Sequence, residues 1–222
     1  MRKVFLSSII LSKVPEGAEK YYSEEIEMSK EPKRFFMSHI IDANVQEGDE
    51  VVIITNIPGK IEGNKDNVAL VEARNKLAEE NYQAFKQEAT DILKAHKIDV
   101  KETTFVEVVG DSEFSNLACH RFFKCVAHNL KEDDILYVDI TFGMKPYTFS
   151  MFIAAAYAVN AAENIKIGLV AYAERYNGTD PDMNNTSIGY DLTSLFYLNE
   201  IAANVGKGNK ASTDKVLDVL IS

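Results

Sequence analysis

Apolar positions along this chain follow two rhythms in turn. Compact runs rich in Val and Ile occupy residues 3–10 (KVFLSSII), 49–57 (DEVVIITNI), 100–110 (VKETTFVEVVG), 134–141 (DILYVDIT) and 165–176 (IKIGLVAYAERY). Runs of this length and composition predict strands buried on both faces, with 100–110 alternating enough to leave one face less buried. Between them lie segments of helical period. One covers residues 33–44 and a long one covers 68–96, where Leu70, Ala73, Leu77, Phe85, Ile92 and Leu93 form a stripe. A third covers 112–130, with Ser112 as its N-cap, and a fourth 146–162. Residues 187–196 (SIGYDLTSLF) read as a last strand, joined to 165–176 by the turn-rich NGTDPDMNNT, and 195–205 as a last helix. Residues 12–32 are polar and acidic and read as a long loop. Residues 58–67 read as a glycine-rich turn whose Lys60 and Lys65 are solvated.

Strand–helix alternation of this kind implies an α/β, Rossmann-like domain: a mainly parallel central sheet, helices on both faces and a C-terminal β-hairpin extension. Residues 1–206 form that domain, and 207–222 read as a tail or the stub of a further domain. The opening MRKVFLSSIIL has the basic start and apolar run of a leader. Ser7 and Ser8 interrupt it and no small-residue cleavage site follows, so a first buried strand is the reading. The longest apolar stretch, near 149–159, is well short of the ~20 residues a membrane span requires.

Composition narrows the partners. The 222 residues are 46% hydrophobic and 26% charged, with a formal charge of −10. That charge argues against non-specific binding of duplex nucleic acid, where a basic surface is expected. A small anion in one local pocket remains compatible, because backbone N–H groups and a few cations suffice. Cys119 and Cys125, six apart, match no zinc or redox spacing, and this cysteine usage fits a reducing cytoplasm.

Open parallel sheets bind ligands beyond the carboxyl ends of their strands, and polar residues recur at those ends here. Ser7, Ser8, Ser12 and Lys13 follow the first strand, Thr55 and Asn56 the second, and Gly110, Asp111 and Ser112 the third. After the fourth come Thr141, Gly143, Met144 and Lys145, with Pro146 in the first helical turn. Gly143 permits close backbone approach, and Lys145 adds charge where the helix is already positive, which fits a phosphate- or nucleotide-like ligand. No G-x-G-x-x-G follows the first strand, and GKIEGNK has its glycines and lysines in the wrong order for a P-loop.

On these residues the chain resembles a family. DITFGMKPYTFSMFIAAAYAV is similar to the D-x-T-x-G-x-[RK] strand–turn–helix motif of CRISPR-associated Rossmann fold (CARF) proteins. FLSSIILS resembles their first strand and its serine loop, and GYDLTSLFYLNEIA their closing DLT-x-L element. The resemblance spans residues 1 to about 205. It implies a cytoplasmic homodimer, possibly assembling further, that senses a cyclic oligoadenylate (tetra- or hexa-adenylate) in type III CRISPR antiviral defence. The pocket would lie across the two-fold, lined by Ser7, Ser8, Ser12, Lys13, Thr55, Asn56, Asp111, Thr141, Gly143, Met144 and Lys145, with no cofactor and no metal. Phe142 stands where the family often has His or a small residue, and Lys145 where Arg is frequent. No effector domain of the kind the family usually carries is expected in this chain, since none fits into the roughly twenty residues that remain; Arg34 and His39 have the R-x₄₋₆-H spacing of HEPN nucleases but fall in the first helix. The enzyme alternative is a metal-independent ring nuclease, in which a ribose 2′-hydroxyl attacks the adjacent phosphodiester. Lys145 would then stabilise charge on phosphorus and Ser7, Ser8 or Ser12 orient the phosphate, with Lys145 and Ser12 the catalytic candidates. A generic Rossmann-like nucleotide-binding protein unrelated to CRISPR is the third reading.

Plainer readings compete residue by residue. Asp139 can simply accept backbone N–H groups of a neighbouring loop. Strand alternation turns at least one of Ser7 and Ser8 into the core. His120, Lys124 and His128, at i, i+4 and i+8, read as a solvated or dimer-facing stripe. Asp180, Asp182, Asn184 and Asp191 have EF-hand-like spacing without its glycine and read as a hairpin turn. Tyr21 and Tyr22 lie in the predicted loop, where one of them could stack on an adenine.

Overall fold

A computed structural model describes residues 1–11, 14, 20–57, 68–109, 116–143, 145–161, 164–180, 183, 186–205 and 215. In chain order the elements are β1 (Arg2–Ser8), β2 (Lys20–Tyr22), α1 (Phe36–Asn44), β3 (Glu50–Ile57), α2 (Val68–Ala95), β4 (Phe105–Val109) and α3 (Asn116–Asn129). There follow β5 (Ile135–Asp139), α4 (Lys145–Ala161), β6 (Lys166–Arg175), β7 (Thr186–Asp191) and α5 (Thr193–Val205). The strands form one seven-stranded sheet in the order β2-β7-β6-β5-β1-β3-β4. Only the β6/β7 pair is antiparallel, so the fold is the Rossmann-like α/β sheet with a hairpin extension.

Side-chain alternation divides the core into two layers. Phe5, Val51, Ile53 and Tyr137 pack against α1 and α2, through residues such as Phe36, Ile40, Tyr82 and Phe85. Val4, Leu6, Val52, Ile54 and Val138 pack against α3, α4 and α5, through Phe122, Met151, Ala155 and Phe196. The strands are therefore apolar on both faces, which is why their sequences read as continuous runs. The amino end of β1 is pinned by charge. Arg2 pairs with the fully buried Asp134 at 2.5 Å and Lys3 with Asp49 at 2.7 Å. The basic start of the chain thus anchors a core strand.

Two elements depart from the sequence reading. The segment expected to be loop over 12–32 contains β2, a three-residue strand parallel to β7 that closes the sheet edge. Residues 187–196 are not one strand: β7 stops at Asp191 and α5 begins at Thr193. Asp191 Oδ1 accepts the Thr193 N–H at 2.8 Å, an aspartate cap that ends the strand and opens the helix. Elsewhere the differences are at element ends. The strand expected at 100–110 begins at Phe105, after a single 3₁₀ turn over Glu102–Thr104.

Chain direction sets the position of the crevice. After β2 at the far edge, the chain returns through α1 to β3 beside β1, continues outward to β4, then crosses back to place β5 on the other side of β1. The switch point lies between β1 and β5, where a ligand crevice is expected outside the carboxyl ends.

Candidate functional site

Five polar side chains converge at the carboxyl ends of β1, β5 and the neighbouring β3. In register, Ser7 lies beside Thr55 and Ser8 beside Asn56, while Leu6 faces Val138, which brings Asp139 level with Ser7. By parity Ser7, Thr55 and Asp139 face the α1/α2 layer, and Ser8 and Asn56 the α3/α4 layer. All five are at most 4% exposed. Asn56 Nδ2 donates to Ser8 Oγ at 3.1 Å. Ser7 Oγ, Thr55 Oγ1 and Asn56 Oδ1 have no hydrogen-bond partner among the described residues. Each such atom costs about 1–3 kcal/mol when buried unpaired. Three together at a strand end mark a place where folding alone does not complete the bonding.

The turn from β5 into α4 closes over these residues. Asp139 Oδ1 accepts the Thr141 N–H at 2.8 Å, and Thr141 Oγ1 accepts the Ala173 N–H at 2.8 Å. Burial pushes the Asp139 carboxyl up to about 6, against opposing hydrogen bonds from the hydroxyl and backbone N–H of Thr141. Two residues on, Gly143 has φ +104° and passes so close to β1 that a Cβ built there would lie 2.5 Å from Ser8 Oγ. Glycine is therefore required twice over, by backbone sign and by space. Lys145, exposed at the first position of α4, makes no ion pair among the described residues. A backbone cradle beside a helix start with one free cation can hold an anion.

The two layers offer different amounts of room. On the α1/α2 side Ser7 and Asp139 line a void of only about 10 Å³, closed by Ile9, Phe35, Phe85 and Phe142 among others. That admits about one water. On the α4 side Gly143, Lys145 and Pro146 are exposed. A ligand approaching the switch point meets this second side.

The position of several predicted residues is not described. Ser12, Lys13, Asp111 and Met144 lie outside the described residues, as do Lys60, Lys65, Gly110, Ser112, Asp182 and Asn184. Thr141 is present, with its hydroxyl engaged as above. His120, Lys124 and His128 are exposed along α3. No group of three or more His, Cys, Asp or Glu able to hold a metal occurs among the described residues. Arg34 lies over the Phe35 ring and His39 is buried in α1, so the HEPN-like spacing forms no open pair. No helix among the described residues is long and apolar enough to cross a membrane.

Sequence reasoning missed Phe142 and Phe35, which seal the crevice on one side. Phe142 lies inside the quoted motif, yet nothing in its spacing shows that α1 and α2 pass above it. Two roomier clefts lie away from the switch point. One of about 500 Å³, between α2 and residues 32–34, is bordered by a structural network. There Asp42 bonds Lys33, His96 and Ser29. Burial alone would raise the Asp42 carboxyl, but the hydrogen bonds from Ser29, His96 and Lys33 prevail and hold it below the usual range.

A scan against protein-family models matches none to this chain. A search of the curated proteins finds no relative.

Proposed function

We propose that this chain is a CARF-type sensor that binds cyclic oligoadenylate as a homodimer, at the switch point between β1 and β5. The observation that carries the reading is the Gly143 backbone closing over Ser8 and Asn56, whose Oδ1 is buried without a partner among the described residues, beside Lys145, which makes no ion pair among them. Ring phosphates suit Lys145 and the helix start, and partner groups are available from Ser8 and Asn56. A crevice whose α4 side is exposed also suits a ligand shared between two copies. The face of α4 supports that second copy. From Pro146 to Ala161 it carries no Asp, Glu, Lys or Arg. Phe149, Ile153 and Tyr157, at i, i+4 and i+8, are 66%, 44% and 45% exposed.

The test is incubation in EDTA with cyclic tri-, tetra- and hexa-adenylate separately, reading binding and products together. Tight binding of the tetra- or hexa-adenylate with the ring intact is expected, weakened about tenfold or more by Lys145→Ala, as loss of a charge-assisted phosphate contact implies. Linear products without metal would make the protein a ring nuclease. Unchanged affinity in the Lys145 variant would misplace the pocket, and no binding of any ring would leave a Rossmann-like nucleotide-binding protein of another class.

A further inference from the structure

The cleft of about 500 Å³ between α2 and the segment leading to α1 is roomy enough for a small organic ligand, where roughly 300–1,000 Å³ is usual. One wall is formed by Ala84, Gln87, Glu88, Asp91, Ile92 and Ala95. Their spacing of i, i+3, i+4, i+7, i+8 and i+11 is one continuous face of a helix. Lys33, Arg34 and Asp42 stand on the other side. Lys33 and Asp42 satisfy each other at 3.0 Å, and His96 Nε2 lies 2.8 Å from the second Asp42 oxygen. The remaining three charges have no such pairing. Glu88 turns its carboxylate to the backbone, accepting the Arg34 N–H at 2.8 Å and the Phe35 N–H at 3.3 Å. Asp91 is exposed and accepts the neutral Gln87 amide at 2.9 and 3.0 Å. Arg34 lies over the Phe35 ring, and its guanidinium makes no ion pair among the described residues. Its Nε is buried and has no hydrogen-bond partner among them. A buried donor on a cation calls for an acceptor.

These three charges select the ligand class. A simple anion would meet Glu88 and Asp91, and a simple cation would meet Arg34. A molecule carrying one charge of each sign suits both walls. Glu88 and Asp91, at i and i+3, are neighbours on the helix, about 5–6 Å apart at Cβ. An ammonium group fits between two carboxylates so placed. The planar guanidinium, in turn, is suited to a carboxylate, which it can grip with two parallel bonds. We propose that this cleft is a second site, distinct from the switch-point crevice, that binds a free amino acid. Its carboxylate lies on Arg34 and its ammonium between Glu88 and Asp91, with Pro32, Ala84 and Ala95 offering apolar surface to the side chain. This inference does not depend on the ligand of the crevice.

The test uses the whole chain labelled with ¹⁵N-arginine, which gives five Nε–H groups to resolve, titrated separately with L-leucine, L-glutamine and L-lysine. At least one amino acid is expected to shift the Arg34 Nε–H resonance saturably while Arg2, Arg74, Arg121 and Arg175 stay fixed. Its N-acetyl and carboxamide derivatives, each lacking one charge, should bind about tenfold more weakly. Asp91→Asn, at an exposed position, should weaken the amino acid by about tenfold, as loss of a charge-assisted contact implies. Lys145→Ala should leave it unchanged. Failure of all three amino acids to move Arg34 at about 10 mM overturns the proposal. So does binding that both blocked derivatives match, or that Asp91→Asn leaves intact. Binding that Lys145→Ala abolishes would put the amino acid in the switch-point crevice and overturn it too.

Discussion

At the scale of single residues, Asp139 carries the clearest energetic signature. Its carboxyl is raised to about 6 in the folded chain, against roughly 3.9 for an unfolded aspartate. Between those values the folded state binds a proton that the unfolded state has lost. Stability should therefore be highest below pH 4, fall as pH rises to 6 and stay lower above it, by on the order of 3 kcal/mol from this residue. Asp139→Asn keeps an oxygen for the Thr141 N–H and removes the charge. Urea unfolding of the two proteins at pH 4.5 and pH 7.5 checks this, because every other titrating group cancels in the comparison. The wild type should lose more stability than the variant on going to the higher pH. An equal or smaller loss would mean that the bonds from Thr141 outweigh burial and the carboxylate is stabilised where it lies.

At the scale of elements, the same three-residue device occurs twice. In residues 139–141 (D-I-T) and 191–193 (D-L-T) the aspartate accepts the threonine N–H, at 2.8 Å in both. The middle residue donates its N–H to β6, Ile140 to the Ala171 carbonyl and Leu192 to the Val170 carbonyl. The threonine hydroxyl then accepts a β6 N–H, Ala173 at 2.8 Å for Thr141 and Val170 at 2.9 Å for Thr193. Together they clasp β6 from both edges and launch α4 and α5. Thr141→Val should strip exchange protection from the Ala173 amide and spare Val170; Thr193→Val should do the reverse. Each leaves a buried N–H unpaired and should cost about 1–3 kcal/mol. Protection unchanged at both amides would show that the clasps do not hold β6. The recurrence also explains what could be read from sequence. Strands buried on both faces write that burial into Val- and Ile-rich runs, so β1, β3, β5 and β6 were legible. The three residues of β2 are too few to show a period, and they pair only because β7 offers an open edge. Asp191 looks like any strand residue until its carboxylate meets the Thr193 N–H. In the site, the polar strand ends were visible, whereas the Ser8–Asn56 bond and the Phe142 seal depend on register and on helices crossing above.

At the scale of the whole molecule, the question is what covers α4. A helix apolar on every face belongs in an interior, yet Phe149, Ile153 and Tyr157 face outward, with Tyr157 edge-on to Phe123. The chain carries a formal charge of −10, so two copies repel in most orientations. A contact through α4 brings together faces free of charge, and the residual repulsion between the two bodies is then long-ranged and open to screening. Association through α4 should consequently tighten as sodium chloride rises from 20 to 500 mM, the opposite of a dimer held by ion pairs. Light scattering should find twice the 24.8 kDa chain mass, and Ile153→Asp should return the monomer with an unchanged circular dichroism spectrum. A wild type that stays monomeric at 100 µM in high salt would remove the homodimer from the proposed function. Dimers that dissociate as salt is added would place the contact on a charged surface away from α4. If the two-fold does run along α4, the turn at Gly143 and the free Lys145 of each copy lie at the start of the contacting helix, and loss of the dimer in Ile153→Asp should weaken cyclic oligoadenylate binding with it.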